Sequence, residues 1–159
     1  MKAHCIIPQL INYSEFNSSW VELLNRFKRK EKKLGFVDYE DNFDIVIHLR
    51  RGDYLNFPEL YYELKDTYFL NAIDLLKEKL KIFGNPKCLI IGNDINWAKA
   101  KIGTLIDAKY QYKSEFEDFR TILRSRNLII SNSSFSLSAA ILGMFNNPSK
   151  EIVSPVSYY

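Results

Sequence analysis

The stretch Asp44-Ile45-Val46-Ile47-His48-Leu49-Arg50-Arg51-Gly52-Asp53-Tyr54 decides how this chain is read. From Phe43 to Leu49 it is apolar apart from Asp44 and His48, which predicts a strand buried on both faces, as in a parallel sheet. That strand runs directly into two arginines, a glycine and an aspartate. Guanidinium is always charged and offers a planar fork of donors, so Arg50 or Arg51 is suited to hold a diphosphate and to stabilise it as a leaving group. Gly52 permits the sharp turn. The same residues are also compatible with two solvated loop charges, and Arg51-Gly52-Asp53 spells an adhesion tripeptide that is short enough to recur by chance.

Working outward, helices and strands alternate. Ser19 with Glu22 forms a capping-box signature ahead of Trp20, Leu23, Leu24, Phe27 and Leu34, predicting an amphipathic helix over 19–34 that Gly35 ends. After the strand and a loop through Pro58, Asp66 opens a helix carrying Phe69, Ala72, Ile73, Leu76 and Leu80, which stops near Gly84. A second buried strand spans 87–92, and a short helix holding Trp97 spans 94–101. Ser114 with Glu117 forms another capping box before the stripe Phe116, Phe119, Ile122 and Leu123. A third strand covers 128–131, an apolar helix 133–145, and a last strand 151–154 precedes Pro155. Residues 1–16 lack periodicity and are read as irregular or as one short edge strand. The pattern predicts an α/β, Rossmann-like parallel sheet with helices on both faces, whose ligands bind at the carboxyl ends of the strands. Three loops then share one edge: 50–54, 93–97 and 132–136.

The second and third loops add chemistry to the first. Asn132-Ser133-Ser134-Phe135-Ser136 lies between strand and helix, where backbone N–H groups and hydroxyls suit an anion; simple N-capping is the alternative. Asp94 is placed either to accept paired hydrogen bonds from a purine such as guanine or to cap the helix ahead of Trp97. His48 suits either a ribose or phosphate contact or a core hydrogen bond.

Composition bounds the rest. The chain has 159 residues, 47% hydrophobic and 14% aromatic, which argues for one folded globule. Its net charge of +3, from 22 basic and 19 acidic residues, is mild and mixed, so nucleic acid is not implied. The run Lys28-Arg29-Lys30-Glu31-Lys32-Lys33 reads as a solvated helix face, or as a weak contact to an anionic membrane. Cys5 and Cys88 make no disulfide framework, and Cys88 reads as a small buried hydrophobe in a reducing compartment. The two histidines and two cysteines lack metal-ligand spacing, so no metal is expected. No run of about eighteen apolar residues and no signal peptide is visible.

Three blocks, 48–54, 92–97 and 129–140, resemble in order and spacing the alpha-1,2-fucosyltransferases of glycosyltransferase family 11, and the resemblance covers residues 41–159. Lys150 to Pro155 and the aromatic Tyr158-Tyr159 are similar to that family's ending. The resemblance implies a metal-independent enzyme with two facing Rossmann-like halves, the GT-B fold. Such an enzyme moves fucose from GDP-fucose to a galactoside-type acceptor with inversion, in surface-polysaccharide synthesis. This chain resembles the nucleotide-sugar half: residues 1–40 read as an extension with an amphipathic helix, and 41–159 as the GDP-sugar-binding domain. By the same resemblance Arg50 and Arg51 bind the diphosphate, His48 shapes the nucleotide site, Asp94 contacts guanine, and Asn132, Ser133, Ser134 and Ser136 complete the phosphate cradle. Asp53 is either the base for the acceptor hydroxyl or a lock on Arg51. No cofactor beyond the GDP-fucose donor is expected. The chain departs from the family at Leu137-Ser138, where a tryptophan pair is usual, and at Asn93, and residues 1–40 lack the family's glycine-rich segment. These departures carry the alternative readings: a non-catalytic GDP or GDP-sugar-binding domain, one completed by a partner chain, or an inert remnant. The corresponding location is the bacterial cytoplasm, with peripheral contact at the inner face of the membrane.

Overall fold

The computed structural model describes residues 3–6, 18–33 and 42–155. Its six strands are β1 (Ala3–Ile6), β2 (Ile45–Leu49), β3 (Lys87–Gly92), β4 (Asp107–Tyr110), β5 (Asn127–Ile129) and β6 (Glu151–Pro155). Five helices connect or flank them: α1 (Ser18–Lys33), α2 (Asp66–Leu80), α3 (Ile95–Lys101), α4 (Glu115–Arg124) and α5 (Ser134–Asn146). The strands form one sheet in the order β1-β6-β5-β2-β3-β4. Five are mutually parallel, and β1 joins the β6 edge antiparallel. The fold is α/β and Rossmann-like.

Alternation along the strands explains both faces. Ile45, Ile47 and Leu49 of β2 and Cys88 and Ile90 of β3 pack with Phe69, Ala72 and Leu76 of α2 and Ala98 of α3. Val46, Leu89, Ile91 and Leu128 point the other way, onto Ile122 of α4 and Ala139, Ala140 and Met144 of α5. A strand covered on both sides has no use for polar alternation, hence the continuous apolar runs. Cys88 is fully buried, and burial, with Asp44 and Asp107 nearby, pushes its thiol up to about 12, so it acts as an inert hydrophobe.

Two contacts set the α4–α5 layer. A Cβ at Gly143 would lie 2.4 Å from the Leu123 carbonyl oxygen, so only glycine lets these helices approach this closely. Lys150 is wholly buried, and its ammonium donates to the Ile122 carbonyl at 2.9 Å, to the Ser125 hydroxyl at 3.0 Å and to the Ser125 carbonyl. A cation at the carboxyl end of α4 meets both its open carbonyls and its dipole. On the outside of this layer α1 packs through Leu24 against Leu123 and Leu142. The α4 capping box is reciprocal, between Ser114 and Glu117. The Ser19 side chain, Gly35 and the Tyr158-Tyr159 tail lie outside the described residues.

Of the two readings of residues 1–16, the short edge strand is present at 3–6. One expectation changes: β4 is a strand that periodicity does not announce, because Asp107-Ala108-Lys109-Tyr110 is a half-exposed edge with two charges in four residues. Among the described residues no helix is long and apolar enough to cross a membrane.

Candidate functional site

The chain leaves β2, crosses through α2 to its neighbour β3, and moves on through α3 to β4. It then returns through α4 to β5 on the other side of β2. The sheet order therefore reverses between β2 and β5, and in open α/β sheets the crevice beyond such a reversal receives the ligand. Ser131 clips the two strand ends there: its hydroxyl donates to the His48 carbonyl at 2.9 Å and accepts from the Arg50 N–H at 3.0 Å.

β2 delivers consecutive residues to opposite sides of the sheet. Arg51 goes to the α2–α3 side, where it is 5% exposed. Its guanidinium lies 4.0 Å from the centroid of Trp97. It donates to the Leu64 carbonyl at 2.7 Å, to Glu63 at 3.0 Å and to Asp94 at 3.3 Å. Asp94 also caps α3, accepting from the Trp97 N–H. The turn between the arginines and Asp53 is held by Asn93, whose side-chain oxygen accepts from the N–H groups of Arg51 and Gly52 at 3.0 and 3.3 Å. Asn93 gets there because Gly92 takes φ +118°, at a point where any Cβ would lie only 2.0 Å from the Leu49 carbonyl oxygen.

His48 and Arg50 go to the other side and line a cleft of about 410 Å³ with Tyr54, Asn93, Lys113, Glu115, Asp118, Ser133, Ser134 and Phe135. Arg50 is 37% exposed and pairs with Asp53 at 2.6 Å; Asp53 also accepts from the Asn93 amide at 2.8 Å. Asp53 thus locks Arg50, where the sequence suggested Arg51. His48 is buried against Phe135, and its Nδ1 has no hydrogen-bond partner. Burial, reinforced by the Arg50 charge, lowers its pKa to about 3, so the ring is neutral at any ordinary pH.

Of the serine loop, Ser133 and Ser134 reach the cleft and Asn132 and Ser136 do not line it. Ser133 is the N-cap residue of α5 but makes no side-chain cap bond, and the first-turn N–H groups of a helix have no acceptor within it. Ser136 is buried and donates to the Ser133 carbonyl at 3.1 Å. Asn132 is buried and donates to the Tyr62 carbonyl at 2.9 Å. Lys113, Glu115 and Asp118 were not singled out from sequence; they sit at the start of α4, and only the return crossover brings them opposite β2. Asp118 is buried, which raises its carboxyl pKa, while the amide of Gln111 donates to it at 2.7 Å and opposes the shift. The cleft therefore carries both signs of charge, with Arg50 and Lys113 among its basic residues and Glu115 and Asp118 of α4 among its acidic ones. Among the described residues no group of three or more His, Cys, Asp or Glu is placed to hold a metal ion.

No curated protein and no solved structure matches the chain. The model of glycosyl transferase family 11 does, across residues 21–149, which include every residue of the cleft, and the chain belongs to that family.

Proposed function

We propose that the cleft at the β2–β5 reversal binds the GDP part of GDP-fucose, and that the protein moves fucose to a hydroxyl of a galactoside with inversion, in surface-polysaccharide synthesis. The observation that carries the reading is that one cleft is lined by Arg50, by the start of α5 and by the Asp118 carboxyl group. Arg50, held by Asp53 and facing the open amino end of α5 at Ser133 and Ser134, suits the diphosphate. Asp118, which lines the same cleft, suits a base edge that offers adjacent N–H donors, as guanine does and adenine does not. Neutral His48 lines the same cleft, and its buried Nδ1 has no partner.

In the reaction, negative charge grows on the departing diphosphate, and a fixed guanidinium in a part-buried cleft stabilises that charge more than it stabilises the ground state. Arg51 and Asp94 act in this reading as positioning residues, holding the turn from which Arg50 projects. Calorimetric titration should show GDP and GDP-fucose binding and ADP binding far more weakly, with Asp118→Asn narrowing the gap roughly tenfold through lost charge-assisted bonds. Incubation with GDP-fucose and lactose should yield fucosylated product. If neither guanine nucleotide binds at millimolar concentration, the donor-site reading fails.

A further inference from the structure

Residues 54–64, which leave the phosphate turn, are held in place at considerable expense in buried polar groups. Buried Arg51 reaches the Leu64 carbonyl and Glu63, and buried Asn132 reaches the Tyr62 carbonyl. Backbone bonds from Leu55 to Arg51, Asn56 to Asp53, and both Leu60 and Tyr61 to Phe57 complete the fold of the segment. Yet it adds almost nothing to the core before Leu64. Leu55, Phe57, Leu60 and Tyr62 are each 44–57% exposed, a cluster of large apolar side chains within eight residues. Buried polar groups are costly to desolvate, and a surface segment fixed by two of them is preorganised for something other than core packing. Its location says for what. Tyr54 lines the cleft, stacks on Tyr61 at 3.9 Å and carries the Arg50 guanidinium 5.6 Å above its ring, and Phe57 is tied to both tyrosines by backbone hydrogen bonds, so the segment starts at the Arg50 side of the cleft.

We propose that the pinned segment 54–62 is the acceptor platform, and that Phe57 and Tyr62 take the apolar face of a carbohydrate ring beside the departing phosphate. The inference rests on the donor reading above, since it is Arg50 that marks where the transferred sugar is attached. Sugar rings present C–H faces and peripheral hydroxyls, the combination that an aromatic face with a phenol edge accommodates. Two exposed aromatics and two leucines also make a patch of the kind that marks binding surfaces.

The test uses the full chain, titrated with lactose and with methyl β-galactoside, with and without saturating GDP, and followed by NMR. The expected result is saturation transfer to the sugar C–H protons and roughly tenfold weaker sugar binding in Phe57→Ala combined with Tyr62→Ala. GDP affinity and the melting temperature should stay at wild-type values, because both side chains are exposed and outside the cleft. Sugar binding unchanged in the double variant overturns the proposal, as does absence of sugar binding in GDP-loaded wild type. So does a sedimentation shift from dimer to monomer in the double variant, which would make the patch an interface between copies. Failure of GDP itself to bind overturns the donor reading instead, and the sugar titration is then read on the free chain.

Discussion

Arg50 and Arg51 are neighbours in sequence and belong to two different regions of the molecule. The Arg51 guanidinium is fully engaged: it is stacked on Trp97 and bonded to Leu64, Glu63 and Asp94. Around Arg50 the groups stand open, with a part-exposed guanidinium, a buried His48 nitrogen without a partner, and a helix start whose cap side chain is unused. Folding has engaged one arginine at the sheet end and left the other open to the cleft. The lesson is that a doubled arginine at a strand end is a division of labour imposed by strand alternation.

The sharpest way to break this contrast is to remove each arginine in turn. Arg51→Ala strands the Leu64 carbonyl and the Asp94 carboxylate and bares the Trp97 face. It should cost about 3 kcal/mol of stability in urea unfolding, the low end for a broken buried pair because Asp94 and Glu63 keep some water. Arg50→Ala should change stability by less than about 0.5 kcal/mol, since its pair with Asp53 is solvent-exposed. It should instead weaken GDP binding roughly hundredfold. Interchanged outcomes, with Arg50 stabilising and Arg51 binding, would reverse the assignment.

How much of the fold is legible in the sequence follows from the same physics. The parallel core is legible because strands covered on both faces are written as near-continuous apolar runs, as at 88–91 and, apart from His48, at 45–49. The edges are not: β4 has two charges in four residues, and β1 falls where no periodicity shows. The turn at 50–54 is legible as a local motif, but which arginine faces the cleft is decided by what waits on each side of the sheet. Trp97 and Leu64 are 46 and 13 residues from Arg51, beyond any local pattern. Asp118 is hidden for a similar reason, since only the crossover that carries α4 back over β2 brings it to the cleft. Adjacency in sequence groups Asn132 and Ser136 with Ser133 and Ser134, and the turn into α5 separates them.

The open side can be probed by pH. Unfolded, the His48 imidazole titrates near 6.5, and folded near 3, because burial and then Arg50 disfavour its charged form. Between those values the unfolded chain binds the extra proton. Stability from this group is therefore complete above pH 6.5 and is lost as pH falls toward 3, at up to about 1.4 kcal/mol per unit. Asp118, with its pKa raised above 3.8, acts with the opposite sign at the acid end. The difference between wild type and His48→Gln isolates the histidine: the variant should lose stability less steeply from about pH 6 to about pH 4. Parallel curves would mean that His48 is not held neutral by its burial.

A smaller effect on GDP affinity is expected at the joint between the two regions. Ser131 is fully buried, and its one hydroxyl serves both the His48 carbonyl and the Arg50 N–H. Ser131→Ala leaves that carbonyl and N–H without the hydroxyl, but Arg50 borders the open cleft, so water reaches part of the gap. The cost should be about 1 kcal/mol, read from the midpoint of urea unfolding at an unchanged slope. Because the hydroxyl fixes the backbone from which Arg50 projects, GDP affinity should fall a few-fold as well, whereas a substitution acting only on stability would leave it alone. Loss of affinity without loss of stability would place Ser131 in contact with the nucleotide itself, and would move the ligand deeper between β2 and β5 than Arg50 implies.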